Sequence, residues 1–476
     1  MTLNEFTPLQ IDEVVEAAYR AFPLWASSEA STRALLLRAL ALQLEAASEE
    51  LVAIADRETS LGDARLKGEV VRTAFQLRGF AEEAETGAPY SVVDDEAIAG
   101  APPHGRPHLL RVRVPLGPVA MFAASNFPFA FSVLGGDTTS ALAAGCSVIV
   151  KAHPGHPELS RRVHAIARSV LKDLDLPLGL IGLVEGASPA VGVHLVRHPR
   201  VAAAAFTGSV RGGLALQGEA QKRPRPIPFF GELGSTNPVV ILPAAMTAER
   251  LQPMAQTLAQ SIGMGSGQFC TSPGLILVQE GSQAAAFEAA LTSEVSRLSP
   301  HPMLNPGIRG AYDSAVDRRK EEEHLVVLSH SRRSPSEPPA PFLARVRASD
   351  FVATPTLHEE VFGPSALLIV AGSPSEMEDV LEAVGGSLTV TIWGADAPAG
   401  NSELVSTAMH VAGRVLFSGV PTGVAVTSAQ HHGGPFPSST APSTTSVGYA
   451  ALDRFLRPVA LQDPPRWLSE REGRPL

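Results

Sequence analysis

The sequence has very few cysteines, no run of basic residues and no long apolar run. Its 476 residues include only two cysteines, too few for a disulfide framework or a thiolate metal site, so we expect both to be reduced thiols. The 38 basic and 48 acidic residues give a net charge of -10, and no basic track indicates a nucleic-acid partner. Residues 1–5 lack a basic leader, and no apolar run reaches the roughly 18 residues of a membrane span. We therefore predict a cytoplasmic protein without a nucleic-acid or membrane partner.

Metal-binding patterns are also missing. The 14 histidines show no spacing typical of zinc ligands, and we expect the neighbours His431 and His432 to point to different sides of the backbone. We therefore predict no metal. A content of 45% hydrophobic and 18% charged residues is sufficient for two or three ordinary domain cores.

The apolar pattern changes along the chain. From about residue 8 to 87 apolar residues recur at helical spacing, as at Leu37, Leu40 and Leu44, which predicts a helical leader. Beyond Pro115, strands and helices alternate with short connections. We expect strands at 119–123, 147–150, 180–184 and 201–206, and helices at 136–144 and 159–174. This alternation predicts an α/β fold with a doubly wound, nucleotide-type domain.

A second α/β region is expected after residues 232–238, beginning with a strand at 239–242 and a helix at 248–262. The charge run at 318–323 is interpreted as a solvated helix, and the Ser- and Pro-rich stretch 331–341 as a surface loop. Residues 433–448 are rich in Gly, Pro, Ser and Thr. The tail from Tyr449 regains apolar character, and we consider docking on a neighbouring subunit.

The two cysteines occupy contrasting settings. Cys270 follows three alternating glycines in 263–271, which leave the backbone free for close approach to a ligand. Taken alone, the segment leaves a catalytic and a structural thiol equally open. Cys146 precedes an apolar strand, where cysteine packs as a small hydrophobe.

Three other segments contain candidate functional groups. Glu232 lies between an apolar segment and a flexible turn, where loss of water is expected to raise its affinity for protons, as suits a general base. A surface glutamate at a helix end is the alternative.

Asn126 follows a predicted strand at a ligand-binding edge, and its side-chain amide could donate to an oxyanion, although Asn is also common in turns. Gly208-Ser209 follows another strand but lacks the usual dinucleotide spacing, so an ordinary turn stays open.

The order of these segments resembles the aldehyde dehydrogenase superfamily over nearly the whole chain. The ordered motifs are Asn126, Lys151, Gly208-Ser209, Glu232-Leu233-Gly234, Gly267-Gln268-Phe269-Cys270 and Glu359-Glu360-Val361-Phe362-Gly363-Pro364. Within it, the strings 206–213, 232–238 and 432–437 resemble the α-ketoglutaric semialdehyde dehydrogenase branch, and related NADP-dependent fatty aldehyde dehydrogenases share them.

This resemblance implies roles for individual residues. Cys270 is implied as the nucleophile, Glu232 as the base and Asn126 as an oxyanion donor. NAD or NADP is the implied cofactor, and its site is expected to comprise Lys151, Phe206, Gly208, Ser209, Glu360 and Phe362. Phe127, Phe269 and Thr271 flank the nucleophile and are expected to shape the substrate tunnel, to which Phe436 is a further candidate contributor.

The resemblance also implies a domain plan. We expect a Rossmann-type cofactor domain (1–107 and 119–232), an α/β catalytic domain (233–435) and a small oligomerisation element (108–118 and 436–476) in a homodimer or homotetramer. The expected reaction oxidises an aldehyde, such as the oxo-acid semialdehyde 2,5-dioxopentanoate, to the carboxylic acid through a Cys270 thioester. The product would leave as the free acid.

Several departures and alternatives accompany the resemblance. Ser125 stands where many members have Trp, and Ser235 where many have a second Gly. Pro154 replaces a Glu that NAD-preferring relatives use for the ribose, which leaves the preference between NAD and NADP open. Alternatives are a fatty or other aliphatic aldehyde dehydrogenase, a coenzyme-A-acylating dehydrogenase, which Glu232 disfavours, and a catalytically inactive nucleotide-binding relative.

Overall fold

Helices form the first part of the chain and recur throughout it. The computed structural model describes residues 4–87, 90–331, 333–398 and 400–469; the parts of our predicted segments at 1–3, 88–89, 332, 399 and 470–476 lie outside the described residues. The α-helices are α1 (Pro8–Ala26), α2 (Ala30–Ala46), α3 (Ser48–Thr59), α4 (Asp63–Thr86), α5 (Gly136–Ala143), α6 (Pro157–Asp173), α7 (Pro189–Arg197), α8 (Val210–Gln221), α9 (Ala248–Gly263), α10 (Ser282–Ser296), α11 (Pro306–Lys320), α12 (Ala348–Ala353), α13 (Pro374–Val384), α14 (Ser402–Val411) and α15 (Arg466–Ser469). Short 3-10 helices span Leu178–Leu180, Pro243–Ala245, Met264–Gly267, Pro355–Leu357 and Tyr449–Phe455. Helices α1 to α4 confirm the predicted helical leader.

The strands form three sheets. In chain order they are β1 (Val93–Asp95), β2 (Leu109–Pro115), β3 (Val119–Phe122), β4 (Val148–Lys151), β5 (Ile181–Val184), β6 (Ala203–Thr207), β7 (Phe229–Glu232), β8 (Val239–Ile241), β9 (Leu275–Gln279), β10 (Val326–Ser329), β11 (Phe342–Arg347), β12 (Ser365–Ala371), β13 (Ser387–Trp393), β14 (Ala412–Leu416) and β15 (Leu456–Gln462). The described sheets have three, seven and five strands.

The five-stranded sheet has the doubly wound topology predicted from the alternating pattern. Its strand order is β5-β4-β3-β6-β7, and all neighbours are parallel. Along β3, Val119 and Met121 enter one apolar cluster while Ala120 and Phe122 enter another, because successive side chains point to opposite faces. Strand order reverses between β3 and β6, and ligands bind at such a point, outside the carboxyl ends of the strands.

The seven-stranded sheet has the order β10-β11-β12-β9-β8-β13-β14. Its neighbours are parallel except for the antiparallel pair of β10 and β11. Leu275 and Leu277 of β9 enter one core cluster, and Ile276 and Val278 enter the other. The sheet is therefore buried on both faces, as a helix-covered parallel sheet requires.

The C-terminal tail closes the three-stranded sheet. β15 pairs antiparallel with β2, which pairs with β1 on its other side. Leu452, Phe455 and Leu456 are buried in the cluster shared with the first helices. The first apolar residues of the tail therefore pack within this chain, and only Val459 and Leu461 of the predicted docking residues are half-buried.

The charge run at 318–323 differs from our expectation. α11 ends at Lys320, and the Arg319 side chain is buried. It donates to the backbone oxygens of Leu357 and Glu359 at 3.4 and 2.8 Å. The prediction of a solvated helix was wrong for Arg319, because a guanidinium inside this interface satisfies carbonyls that a neighbouring 3-10 turn leaves unpaired.

Among the helices in the described part of the chain, none combines the length and apolar character needed to cross a membrane.

Candidate active site

The carboxyl edge of the five-stranded sheet brings predicted cofactor residues into one row. Phe122 of β3 is in register with Lys151 of β4 on one side and with Phe206 of β6 on the other. Glu232 ends β7 opposite Thr207. The parallel register explains why residues from separate parts of the sequence meet here.

A strained glycine loop presents Cys270. Gly265, Ser266 and Gly267 have positive φ values of 54°, 56° and 64°. A Cβ on Gly267 would lie 2.2 Å from the Gly363 oxygen, so only glycine fits there. Gln268 is buried and fixes the loop, since its side chain donates to the Gly265 oxygen at 2.8 Å and accepts from the Leu304 N–H at 2.9 Å. Gly267 therefore serves a close approach to the Gly363 backbone, and the predicted close approach to a ligand stays a prediction.

His432 lies between Cys270 and Glu232. Its Nε2 atom is 3.6 Å from Sγ of Cys270 and 3.0 Å from Oε1 of Glu232. The Ser446 hydroxyl donates to the second oxygen of Glu232 and also to the His432 carbonyl. These contacts bring a thiol, an imidazole and a carboxylate within 4.8 Å of one another. The same three atoms have the chemistry of metal ligands, and our prediction of no metal stays a prediction.

The Cys270 thiol holds its proton strongly in this environment. Burial raises the pKa of Cys270 well above its usual range, and the nearby Glu232 carboxylate raises it further, whereas Arg72 lowers it and Glu360 raises it. A thiol attacks as the thiolate. The site therefore requires a base that removes the thiol proton when substrate is in place.

Glu232 is suited to accept a proton but not for the reason we expected. Burial by itself raises the pKa of Glu232, but His432, the Ser446 hydroxyl and Arg454 together hold that pKa below its usual value. The prediction that desolvation raises its proton affinity was therefore wrong, because three polar partners outweigh the loss of water. Glu232 is a buried carboxylate anion in contact with two donors.

Asn126 and the flanking aromatic residues lie around the nucleophile loop. Asn126 is buried, and its side-chain Nδ2 donates to the Gln268 oxygen at 3.1 Å. The rings of Phe127 and Phe269 meet edge to face with their centroids 5.5 Å apart. Thr271 is buried directly after the nucleophile. Phe436, in contrast, is exposed.

Lys151 lies at the end of β4 with its ammonium group partly withdrawn from water. It donates to the Ala152 oxygen at 3.0 Å and, more closely, to the Gly186 oxygen. Burial lowers the pKa of Lys151 to about 8, although Glu5 and Glu185 oppose that shift. Lys151 therefore borders the carboxyl edge, where the ribose of a dinucleotide is expected.

The turn from β6 into α8 fits a dinucleotide. Ser209 caps α8 by accepting from the Gly212 N–H at 3.2 Å, and helix N-termini favour phosphate. A Cβ on Gly208 would lie 2.8 Å from the Phe206 ring, and one on Gly213 would lie 2.2 Å from Leu233. Close packing at the turn thus depends on glycine, although the glycine spacing of the usual dinucleotide-binding fingerprint is absent.

Glu360 approaches the base from the seven-stranded sheet. Its Oε2 atom would lie 2.7 Å from a Cβ on Gly234, two residues beyond Glu232. Burial raises the pKa of Glu360 to about 8. Phe362, two residues further along the chain, is half-buried. Glu360 therefore lies beside the chain segment that contains Glu232, and the cofactor roles of Glu360 and Phe362 stay predictions.

Cys146 is a packing residue, as the sequence predicted. It is fully buried, its thiol contacts the Phe455 oxygen at 3.5 Å, and burial raises its pKa to about 11. Both cysteines are free thiols; Cys146 is buried, whereas the Cys270 residue is partly exposed.

A five-stranded parallel sheet of nucleotide-binding topology, with the Cys270 thiol beside the carboxylate that ends β7, is typical of an α/β enzyme with a thiol centre. The aldehyde dehydrogenase family model matches residues 1–440. The chain belongs to the aldehyde dehydrogenase family, and it is an NAD(P)-dependent aldehyde dehydrogenase. The predicted family, fold class and cofactor type are confirmed.

Two curated relatives span nearly the whole chain. One is the alpha-ketoglutaric semialdehyde dehydrogenase of Acinetobacter baylyi, 39% identical over 475 residues that cover 98% of this chain and 89% of the relative. The other is alpha-ketoglutaric semialdehyde dehydrogenase 2 of Azospirillum brasilense, 40% identical over 457 residues, or 96% of this chain and 87% of the relative.

Solved structures share the fold. Aldehyde dehydrogenase 21 of Physcomitrella patens, in complex with the reaction product succinate, has a TM-score of 0.80 at 20% identity and covers 96% of this chain and 92% of its own. Glyceraldehyde-3-phosphate dehydrogenase GapN of Methanocaldococcus jannaschii, complexed with NADP, has a TM-score of 0.80 at 19% identity and covers 96% and 95%. At these identities the likeness concerns the fold alone.

Sequence reasoning missed three groups at this site. His432 appeared in a branch-typical string and beside His431 as an unsuited metal-ligand pair, and Ser446 only in a loop rich in small residues. Arg72, in the helical leader, was not considered, although it acts electrostatically on Cys270. A signal for His432 was its position just before Gly433-Gly434, since two glycines let a backbone approach its neighbours closely.

Proposed function

We propose that the protein oxidises an oxo-acid semialdehyde such as 2,5-dioxopentanoate to the free carboxylic acid, with NAD or NADP, through a thioester on Cys270. The observation that carries the proposal is the convergence of the Cys270 thiol with His432 and Glu232 within 4.8 Å. The relatives named as alpha-ketoglutaric semialdehyde dehydrogenases support the substrate class.

In the first half-reaction, Glu232 takes the proton of the Cys270 thiol as the sulfur attacks the aldehyde carbon. The low pKa of Glu232 and the high pKa of Cys270 keep the proton on sulfur until the substrate arrives. The Asn126 amide and the Cys270 backbone N–H donate to the developing oxyanion. Each such donor contributes about 3 kcal/mol in a transition state.

In the second half-reaction, the same carboxylate activates water. NAD or NADP, whose nicotinamide ribose Glu360 and Phe362 would hold, would supply the hydride acceptor for the substrate carbon, so that the acyl group stays on Cys270. Glu232 first releases the thiol proton to solvent and, as the carboxylate again, removes a proton from the water that attacks the thioester. The Cys270 sulfur leaves, takes that proton back from Glu232, and the acid departs. His432 and Ser446 keep the carboxylate oriented toward the sulfur throughout.

The cofactor and substrate roles follow from position. Lys151 binds the adenosine ribose, Phe206, Gly208 and Ser209 line the dinucleotide site, and Glu360 with Phe362 positions the nicotinamide ribose. Phe127, Phe269 and Thr271 form the substrate tunnel. The register of β3, β4 and β6 at the carboxyl edge supports the cofactor assignments.

The larger organisation belongs to the same proposal. The cofactor domain comprises 1–107 and 119–232, the catalytic domain 233–435, and the oligomerisation element 108–118 and 436–476. The pairing of β2 with β15 supports that element, because β15 is the edge strand of its sheet and edge strands are sites of pairing between chains. The protein is a cytoplasmic homodimer or homotetramer.

A panel of aldehydes tests the substrate class. We expect kcat/KM for 2,5-dioxopentanoate to exceed that for pentanal, a neutral aldehyde of the same chain length, by about 100-fold or more, since a built carboxylate site discriminates strongly. Reduced cofactor is measured with NAD and with NADP. A higher kcat/KM for long-chain aldehydes than for 2,5-dioxopentanoate would contradict the proposed substrate class. Product formation that depends on coenzyme A would instead show an acylating enzyme.

Replacing His432 is expected to change the pH dependence. In His432→Ala, Glu232 loses a donor that lowers its pKa, so the pKa of Glu232 rises. A carboxylate base loses activity as pH falls through its pKa, and the acidic limb of kcat/KM should move up by about one pH unit, the equivalent of about 1.4 kcal/mol.

His432→Gln is the matched control. Its amide can still donate to Glu232, so the acidic limb should lie between those of wild type and His432→Ala. The measurement is the pH profile of kcat/KM for the three proteins. Coincident acidic limbs in wild type and His432→Ala would exclude His432 as the group that positions Glu232.

A further inference from the structure

Two arginines of α4 lie beside the nucleophile loop. Arg65 and Arg72 are about two helical turns apart and therefore share one face of α4. The guanidinium carbon of Arg65 is 4.5 Å from the Phe269 ring centre and 5.2 Å from that of Phe127. That of Arg72 is 5.8 Å from the Phe127 ring centre. Phe127 thus contacts both cations, and Phe269 contacts Arg65.

Arg65 is tied to the catalytic loops. Its Nη2 atom donates to the Asn126 oxygen at 2.5 Å. Its Nη1 atom would lie 2.8 Å from a Cβ on Gly265 and has no hydrogen-bond partner among the described residues, although it is buried. One N–H group of Arg65 therefore remains for an acceptor that enters beside the nucleophile.

Arg72 presents an unused pair of donors. Its Nε and Nη2 atoms are both buried, and neither meets an acceptor in the described ranges 4–87, 90–331, 333–398 and 400–469. This pair is the side of the guanidinium that binds a carboxylate with two parallel hydrogen bonds. Elsewhere in this chain, Arg162 uses the same two atoms on Glu50, at 2.7 and 2.9 Å.

The neighbouring carboxylate of Glu69 leaves the unpaired N–H groups of the two arginines free, because its hydrogen bonds go to the backbone. Glu69 lies between the arginines on α4, and its Oε1 atom accepts the Phe129 and Ala130 N–H groups at 2.8 and 2.9 Å. Its Oε2 atom is buried without a partner in the described residues. Glu69 acts electrostatically on both guanidinium groups and Glu232 also acts on Arg72, so the unpartnered N–H groups, and not an excess of charge, are what a bound carboxylate would satisfy.

We propose that Arg65 and Arg72 form the subsite that binds the carboxylate of the semialdehyde substrate. Arg72 binds both oxygens of the carboxylate through Nε and Nη2, and Nη1 of Arg65 donates to the adjacent 2-oxo oxygen. The Phe127 ring fixes both guanidinium groups, and the aldehyde end points to Cys270. This inference rests on the proposed function and names the groups that select its substrate.

The test compares Arg72→Gln and Arg72→Lys with wild type on 2,5-dioxopentanoate and pentanal. We expect kcat/KM for 2,5-dioxopentanoate to fall about 100-fold in Arg72→Gln, as two hydrogen bonds to a charged group are lost. Arg72→Lys should recover only part of the lost kcat/KM for 2,5-dioxopentanoate, since an ammonium group lacks the paired N–H geometry of a guanidinium group. A smaller loss on pentanal is expected because Arg72 also lowers the pKa of Cys270, so the ratio of the two substrates is the readout.

Arg78→Gln is the matched control. Arg78 is on the same helix but pairs with Glu45 at the surface, so the substrate ratio should not change. Binding is measured separately by titrating 2-oxoglutarate, the product acid, into Cys270→Ala protein with and without Arg72→Gln by calorimetry. We expect about 100-fold weaker binding without Arg72.

The outcomes separate the two levels of the proposal. If wild type prefers 2,5-dioxopentanoate and Arg72→Gln keeps that preference and the affinity for 2-oxoglutarate, the subsite is refuted while the proposed function stands. If wild type has no preference for 2,5-dioxopentanoate over pentanal, the substrate class and the subsite both fail. Loss of the preference together with loss of 2-oxoglutarate binding supports both.

Discussion

Cys270→Ser is expected to lower kcat/KM for aldehyde oxidation by at least about 10⁴-fold, the scale of losing a covalent nucleophile. The Cys270 thiol is withdrawn from water and beside the Glu232 carboxylate, which together raise its pKa. A serine hydroxyl is a far weaker acid and nucleophile than the thiol in the same place. Reduced cofactor formed on mixing enzyme, aldehyde and NAD or NADP measures the loss.

Cys146→Ala is the control for this substitution. It removes the other thiol, which is fully buried against Phe455, and should keep most of the activity. Mass spectrometry after limited treatment with iodoacetamide should locate the label on Cys270 in wild type and in Cys146→Ala. Turnover of Cys270→Ser close to that of wild type would rule out the thioester route.

Much of the fold follows from local sequence patterns. The 119–123 and 201–206 runs predicted β3 and β6, and Asn126 and Gly208-Ser209 were each expected to follow one of these strands. β3 and β6 do pair in parallel. Local periodicity was sufficient here because each strand is buried on both faces and each helix connects strands of the same sheet.

The details of the site depend on contacts that no local pattern encodes. His432 meets Glu232 across 200 positions of sequence, and it does so from a loop without regular structure. The pKa direction of Glu232 was predicted wrongly for the same reason: burial can be inferred from neighbouring apolar residues, whereas His432, Ser446 and Arg454 are distant in the sequence.

The arginines illustrate a second limit. Arg65 and Arg72 lie in a helical leader, where charged residues usually mark the solvated face of a helix. Only the packing of α4 against the Phe127 and Phe269 segments turns that face inward. A substrate-selective group on a helix far from the nucleophile in sequence therefore could not be assigned from spacing.

Glu232→Gln is expected to lower kcat by about 10³-fold, within the usual range for a lost general base, and to separate the two half-reactions. Loss of the carboxylate charge lowers the pKa of Cys270, because Glu232 raises it, so more thiolate forms at alkaline pH without the base. Thioester formation should then persist at alkaline pH. Hydrolysis should stay slow, since no side chain replaces Glu232 beside the attacking water.

A rapid-mixing experiment distinguishes these steps. Glu232→Gln at alkaline pH should release about one reduced cofactor per subunit in a burst and then turn over slowly, with the acyl group on Cys270 visible by mass spectrometry. Hydroxylamine, which attacks thioesters without a base, should restore turnover. Ser446→Ala, which removes one hydrogen bond to the carboxylate but keeps its charge, is the matched control and should show no accumulated acyl-enzyme. If Glu232→Gln shows neither a burst nor recovery with hydroxylamine, Glu232 is needed before the thioester forms, because proton removal from the thiol then limits the first half-reaction at every pH.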